Sequence, residues 1–560
     1  MSYDFDPHRH VKIWLSKDKE TFLNLENRAR LVKMRDINPS DEISFIYDSQ
    51  LLSANALLEL HAFCARYQIV AKDLRDLFPQ CQTDEEKKLI SIYNEELDSL
   101  DAGGNMAVAS DILRWLQPVY SLGTYTDFDV QIDTRHLPKT IPVQKPLLMA
   151  LGSYTLKGDV ENIYLNNNTI AVVNSQNALS DIQKIQQSLY ANCSKQDINQ
   201  DNFIQFFLRA ARRRLIELFP LFGQFMPVTN ANVLLKLSEL TRGKSSLEMR
   251  REIITITNDN INFGKSFLSG KSKLDWNYDD ETIIKKSAPL LREEYKSQLG
   301  FLNWLLLPKN QYNQIKVLGS LKDDNELLTR SREHNRMLLL KTSVVHTTGP
   351  IALLVVLFKK IFYKKTTVDS EIAPYSFSHY GLDKAFISSN NFSLHEKSST
   401  VAVKMNSTVI GESNDLSWLE EGQNATVKRE NKIREVQTKL PQHFQKMHDK
   451  IQDHIDKIEA DLVNCFGFYR NRARHAKVDA LKAILKHFNG QGFDGNGFND
   501  ALENYRSKDI SASMGRSKTK ELIDELEFFG KLAKHLMLTD EQGIVNMPHS
   551  PQQRMASGMN

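Results

Sequence analysis

Short apolar, β-branched runs alternate with stretches whose apolar positions recur every three or four residues along the first part of the chain. Val11-Lys12-Ile13-Trp14-Leu15 predicts a strand, and residues 19–33 predict an amphipathic helix. Ile43-Ser44-Phe45-Ile46-Tyr47-Asp48 reads as a second strand ending in a polar turn. A helix over 51–67 and a strand at Gln68-Ile69-Val70-Ala71 follow. Strand and helix in alternation imply an α/β layer with a parallel sheet. Residues 105–117 are again helical in pattern and lead through Leu122-Gly123 into an alternating, acidic strand over 124–132. Such sheets bind ligands in the crevice outside the carboxyl ends of their strands, so acids there are placed for chemistry.

From 179 to 340 the pattern is mainly helical, as in 203–219, where Arg209, Arg212, Arg213 and Arg214 fall on or near one face. This reads as a helical insertion. Ser343-Val344-Val345-His346 reads as extended, the Thr347-Thr348-Gly349-Pro350 turn follows, and 400–409 alternates once more. Ile351 to Phe358 is apolar, but at about half of the roughly 20 residues a membrane span needs it predicts a buried helix. Beyond Gly422 come 424–487, rich in Lys, Glu, Gln and His at helical spacing, a Gly-rich break at 489–497 and a helix over 518–537. The expected organisation is a discontinuous α/β core over 1–178 and 341–423, an insertion over 179–340, a helical C-terminal domain over 424–547 and a disordered tail over 548–560.

Composition narrows the class. A chain of 560 residues is too long for one core. A net charge of +3 gives no global field for nucleic acid, so no nucleic-acid partner is expected. The four cysteines, Cys64, Cys81, Cys193 and Cys465, are scattered, which fits a reduced compartment and no disulfide framework or structural zinc. The first ten residues hold no apolar h-region, so no cleavable secretory signal is expected.

The candidate chemistry lies in Tyr125-Thr126-Asp127-Phe128-Asp129. On an extended strand end, residues two apart face one side, so Asp127 and Asp129 would present two carboxylates to one point. Two hard oxygen donors suit Mn²⁺ or Mg²⁺ bridging a diphosphate. Taken alone, the tripeptide reads by default as a solvated turn.

Its surroundings decide. Ala107-Val108-Ala109-Ser110-Asp111-Ile112-Leu113-Arg114, followed by Gly123, Tyr125, Asp127 and Asp129, resembles the signature of the large clostridial glucosylating toxins and the related effector glucosyltransferases of Legionella. Ile13-Trp14-Leu15 and Phe45-Ile46-Tyr47-Asp48-Ser49 resemble further pieces of it, and the resemblance covers roughly residues 11–135. It implies a GT-A (Rossmann-like) α/β glycosyltransferase core with helical insertions and a helical C-terminal domain. By the same resemblance Trp14 would stack on the uracil of a UDP-sugar, with Asn55 near the base. Asp111 and Arg114 would hold sugar hydroxyls, with Ser110 in the donor-binding set, and Tyr125 would sit beside the diphosphate. Asp129 would bind the metal directly; Asp127 would reach it through water and touch the ribose. Glu412-Ser413-Asn414-Asp415-Leu416-Ser417-Trp418 resembles the segment that closes over the diphosphate, giving Ser417 and Trp418 as donor-binding residues and Glu412 or Asp415 as a third metal ligand.

The Thr348-Gly349-Pro350 turn resembles one near the donor site of such enzymes, and Asn174-Ser175-Gln176-Asn177 stands where the family often places an amide. The resemblance also implies a retaining glucosyltransferase, secreted by a bacterium as an effector or toxin. It would act in the host cytosol or on the cytosolic face of membranes, on a Ser or Thr of a host protein such as a small GTPase. Arg470, Arg472, Arg474, His475, Lys477, Lys482 and Lys486, preceded by Phe466, Phe468 and Tyr469, suit an anionic lipid or phosphoinositide surface or, equally, a solvated helix face. The rival reading is a non-catalytic host membrane-trafficking interaction protein with a phosphoinositide-binding helical C-terminus.

Overall fold

The computed structural model describes residues 2–155, 161–194, 244–269, 278–297, 299, 309–359, 363–364, 371–387, 420–463, 468–489, 492–493, 495–507 and 518–537. After the short β1 (Tyr3–Phe5) come β2 (Arg9–Ile13), α1 (Leu25–Ile37), β3 (Glu42–Tyr47), α2 (Ala54–Arg66) and β4 (Val70–Asp73). β2 and β3 pair in parallel, with Arg9 opposite Glu42 and Ile13 opposite Ile46, and β4 adds to β3 with Ser44 opposite Val70. Side chains alternate across a strand, so Ile43, Phe45 and Tyr47 enter one core while Ile46 joins Val11 and Ile13 in the other.

Next come α3 (Leu74–Leu77), α4 (Asp84–Asp98), α5 (Met106–Leu113) and α6 (Gln117–Tyr120), and then β5 (Thr124–Thr126) on the free side of β2. Thr83 and Glu86 form a capping box that starts α4. Gly123 enters β5 at φ +146°, and a Cβ there would lie 2.5 Å from the Arg9 carbonyl oxygen, so only glycine fits this approach to β2.

The sheet then turns antiparallel. β6 (Gln131–Ile132) and β7 (Ile141–Val143) pair outside it, while β8 (Leu147–Thr155) and β9 (Glu161–Val172) bring the central sheet to seven strands with β10 (Tyr363–Lys364). β9 runs antiparallel beside β5, with Tyr125 opposite Ile170. Its pairing with β8 jumps: Met149 faces Ile170 but Ala150 faces Asn166, so Asn167, Asn168 and Thr169 bulge out of that ladder. α7 (Ser175–Cys193) packs back on the sheet through Ala178, Ile182, Ile185 and Leu189.

Further helices build a separate core around Met249, Phe263, Leu291 and Leu327: α8 (Ser246–Ile256), α9 (Asn260–Ser269), α10 (Asp280–Ser297), α11 (Lys309–Ser320) and α12 (Asp324–Thr347). A buried ion pair between Arg250 and Glu96 fastens them to α4, and Arg250 Nε also donates to the Gly103 carbonyl at 2.8 Å. Ser343 to His346, expected to be extended, instead lie inside α12. Their β-branched pair, Val344 and Val345, is buried in the sheet's core, and that packing outweighs the local strand preference. α13 (Pro350–Phe358) is the expected short buried helix, with Ala352, Leu353 and Leu354 inside. Among the described residues no helix is long and apolar enough to cross a membrane.

β11 (Phe386–Ile387) pairs with β6, and the chain resumes in α14 (Glu420–Val463), α15 (Phe468–Lys486), α16 (Gly495–Ser507) and α17 (Lys518–His535). Ile433, Leu440, Phe444, Met447, Ile451 and Ile455 follow helical spacing along α14 and meet Leu481, Ile484, Leu526 and Phe529 in one core. The Gly-rich break holds a small hairpin, Phe488–Asn489 against Gly492–Phe493, and the first turn of α16. Ala29 of α1 is buried in this C-terminal core while Leu31, Val32 and Met34 face the α/β core, so α1 is shared by both.

Candidate active site

Asp127 and Asp129 lie on a turn after β5, not on the extended strand end expected from the sequence. The Asp127 carbonyl accepts the Val130 N–H at 3.2 Å and the Lys12 ammonium at 2.7 Å, which folds the chain back. The Asp127 N–H donates to the Asn168 carbonyl at 2.8 Å, so the bulge of β9 anchors the start of the turn. Both aspartates nevertheless line the same cleft. Lys12 is buried below them, and burial pushes its ammonium down to about 7 while Asp127 and Asp129 pull it up.

Asp111 and Arg114 stand one turn apart at the end of α5 and are buried together. Arg114 Nη1 is 3.1 Å from Asp111 and donates to the Asn167 carbonyl at 2.8 Å, while Nη2 reaches Asp127 at 3.3 Å. The guanidinium lies 4.2 Å over the Tyr125 ring, and the Tyr125 hydroxyl donates to the same Asp127 oxygen. Burial holds the phenol well above its ordinary range, so it stays a donor. Asp111 accepts the Asn167 amide at 2.9 Å and the Thr348 hydroxyl at 2.9 Å. Burial pushes Asp111 up to about 6, against the pull of Arg114 and the Thr348 hydroxyl.

Thr348 reaches Asp111 because α12 ends there: Thr348 and Gly349 N–H both close on the Val344 carbonyl, at 3.1 and 3.0 Å. A Cβ at Gly349 would lie 2.8 Å from Val345 Cα, and Pro350 then opens α13. The Thr-Gly-Pro turn singled out in the sequence therefore lies at the site, with Gly349 and Pro350 on the cleft wall.

The cleft has a volume of about 860 Å³, at the large end of the range for small-molecule sites. Trp14 lines it just past β2, packed edge-on against Phe128 at 5.6 Å. Residues 19–24, expected to open α1, are not helical: Ser16 Oγ lies 2.7 Å from the Asp18 carbonyl and 2.6 Å from that of Thr21 and holds the stretch in a turn. Such a hydroxyl competes with helical hydrogen bonding, and α1 begins only at Leu25 after the Asn24 cap.

The structure thus brings Trp14, Ser110, Asp111, Arg114, Tyr125, Asp127 and Asp129 to one cleft. Asn55 is not with them: it is exposed in the first turn of α2 and lies outside the cleft lining. Glu412, Asp415, Ser417 and Trp418 lie outside the described residues, as do Arg209, Arg212, Arg213 and Arg214. Asn174, the family-type amide suggested by the sequence, caps α7 instead and accepts the Asn177 N–H at 3.0 Å. The amide that meets the Asp111–Arg114 pair is Asn167, which lines the cleft and which sequence reasoning missed; the run Asn166-Asn167-Asn168 inside an apolar strand was its signal. Lys12 was missed too, and its one signal was a lysine in an otherwise apolar strand.

Two carboxylates on one cleft wall are the hard oxygen donors that Mn²⁺ or Mg²⁺ takes, and Lys12 bonds a carbonyl beneath them. Among the described residues no three His, Cys, Asp or Glu side chains gather as a metal cage, and both candidates for a third ligand lie outside them.

A search of curated proteins finds no match. Among solved structures, one described as the PaToxG glycosyltransferase aligns at 17% identity over 52% of this chain and 88% of its own, with a TM-score of 0.28. The ligand-free glycosyltransferase domain from the YGT toxin aligns at 12% identity over 63% of this chain and 99% of its own, with a TM-score of 0.25. The family model for glycosyltransferase family 88 matches residues 1–362, which hold six of the central sheet's seven strands, the acidic turn and the Asp111–Arg114 pair, and the chain belongs to that family.

Proposed function

We propose that the protein transfers a sugar, glucose first among the candidates, from a UDP-sugar to a Ser or Thr hydroxyl of a host protein such as a small GTPase. It would do so with retention, as a secreted bacterial effector. The observation that carries this reading is the meeting in one cleft of an indole, a buried Asp–Arg pair and two aspartates from separate segments of a family 88 chain. Trp14 offers its face to a uracil. Asp111 and Arg114 offer an acceptor and a fork of donors to sugar hydroxyls, fixed by Asn167 and Thr348. Tyr125 and Arg114 hold the Asp127 carboxylate from one side.

Asp127 and Asp129 would hold Mn²⁺ or Mg²⁺, with Glu412 or Asp415 as a third ligand and Ser417 and Trp418 closing over the diphosphate. When bound, the cation offsets the charge that develops on the leaving UDP. The acceptor hydroxyl attacks the anomeric carbon on the face from which UDP departs. The bond from that carbon to the phosphate oxygen breaks, and the released phosphate oxygen takes the hydroxyl proton. Acceptor recognition falls to the helical insertion over 179–340.

Mn²⁺-dependent UDP-glucose hydrolysis by the purified protein, compared with Asp127→Ala and Asp129→Ala, tests the reading. Loss of turnover in both variants is expected, and equal rates would overturn it in favour of a non-catalytic interaction protein. NMR of the first-formed product should show the retained anomer. Intact mass of candidate host proteins after incubation with several UDP-sugars would name donor and acceptor. Docking of the C-terminal helices on an anionic or phosphoinositide surface is a separate part of the proposal. His475 and Lys486 are exposed on α15, whereas Lys482 is paired with Glu459 at 2.7 Å. Absence of binding to anionic liposomes at moderate salt would remove that part.

A further inference from the structure

The first turn of α1 is completed by a residue about 400 positions away. Asn24 accepts the Asn27 N–H at 2.9 Å, and the Glu430 carboxylate of α14 accepts the Leu25 N–H at 2.7 Å and the Glu26 N–H at 3.4 Å. A helix start leaves these donors without intrahelical partners and carries a partial positive charge, so a carboxylate suits the place. Next to it the buried Glu26 binds Arg30 at 2.9 Å within α1 and Arg429 at 2.9 Å from α14. The far end of α1 is held as well, since Asp36 pairs with Lys534 and with His535, the latter at 3.1 Å.

These contacts join the C-terminal helices to the donor cleft. Leu25, Asn27 and Arg28 of α1 line it with the Asn24 cap, and Val427, Glu430 and Arg434 line it from α14. Further along, Leu31, Met34 and Ile37 of α1 line a small cavity together with the segment Phe128 to Ile132, which carries Asp129, and Leu31 and Met34 share a core with Val130 and Ile132. A displacement of the α1 start therefore moves the part of the cleft wall that α1 forms, and the helix links that part to the acidic turn.

We infer that Glu430 is a positioning residue of the donor cleft: by capping α1 from the C-terminal helices it sets the wall against which the nucleotide diphosphate binds. This rests on the donor-binding reading of the cleft. Docking of the C-terminal helices and binding of the nucleotide are then linked, each favouring the other by the same factor.

The test uses the full chain and UDP with Mn²⁺ as the probe, with Kd measured by calorimetry. Glu430→Ala is expected to weaken UDP binding about tenfold, the size of a lost charged cap, while the melting temperature falls only slightly. Glu430→Gln keeps an acceptor oxygen and should recover most of the affinity. Arg429→Met loosens the same junction and should weaken binding in the same direction, which keeps the test decisive if Glu430→Ala does not fold. Unchanged Kd in Glu430→Ala and Arg429→Met, with wild type binding UDP, overturns the inference and leaves the donor reading standing. A drop in affinity that Glu430→Gln fails to recover also overturns it, since capping would not be the cause. A wild-type protein that binds no UDP, with or without Mn²⁺, sinks both.

Discussion

Thr348→Val isolates one hydrogen bond at the centre of the site. The Thr348 hydroxyl donates to Asp111 at 2.9 Å, and valine keeps the shape while removing the donor. Asp111 would keep Arg114 at 3.1 Å and the Asn167 amide at 2.9 Å. A hydrogen bond to a charged group is worth about 1.5–3 kcal/mol, and 1.36 kcal/mol moves a pKa by one, so the carboxyl rises from its present position by about one pH unit or more. Asp111 stands at about 6 in the wild type, so at pH 6 about half of it is ionised. A rise of one pH unit leaves about a tenth ionised.

If the ionised form grips the donor sugar, kcat/KM at pH 6 should fall about fivefold in the variant and approach wild type near pH 8. A cation at Asp127 and Asp129 would lower the acid limb in both proteins and leave their separation. Stability carries the same sign. The folded carboxyl lies above its ordinary 3.8, so its contribution is full below that value and is lost as pH rises through about 6. The variant extends the loss to higher pH, so its melting temperature should trail wild type by more at pH 7.5 than at pH 4.5. The assay is a pH–rate profile of donor hydrolysis, with Thr348→Ser as the control that keeps the hydroxyl. An acid limb that stays in place or moves down in Thr348→Val would refute the reasoning.

The remaining expectations concern other levels of the structure. Trp14→Ala should raise the donor KM about tenfold, since stacking a base on an aromatic face contributes about 1–3 kcal/mol, and an unchanged KM would remove Trp14 from base binding. Arg250→Met leaves the Glu96 carboxylate buried without its cation and should cost about 3–5 kcal/mol in urea unfolding. Adding Glu96→Gln should restore part of that, and no recovery would show that the cost lies in packing. Gly123→Ala should destabilise by more than about 2 kcal/mol, because the new Cβ meets the Arg9 carbonyl and the backbone angle is positive. A soluble variant with wild-type melting temperature would contradict that close approach.

Local pattern was enough for much of the α/β part. The apolar runs of β2, β3 and β4 and the helices between them follow from side-chain periodicity, whereas Asp111 and Arg114 stood out only through the resemblance. The Asp-x-Asp carboxylates were legible as residues and as neighbours, but not as geometry. The turn that aims them depends on Lys12 and on the Asn168 carbonyl, both remote in sequence. Tertiary packing turned Val344 and Val345 into helix and so delivered Thr348 to Asp111. A register jump between β8 and β9 aimed Asn167, and the docking of α14 placed Glu430 on the start of α1. Asn55 shows the converse, a residue suggested by resemblance that the orientation of α2 leaves on the surface. Periodicity and spacing act over a few residues, where backbone geometry alone fixes which side chains meet. Strand register and the docking of distant helices are settled by burial and hydrogen bonding summed over the whole molecule, which no local stretch of sequence contains.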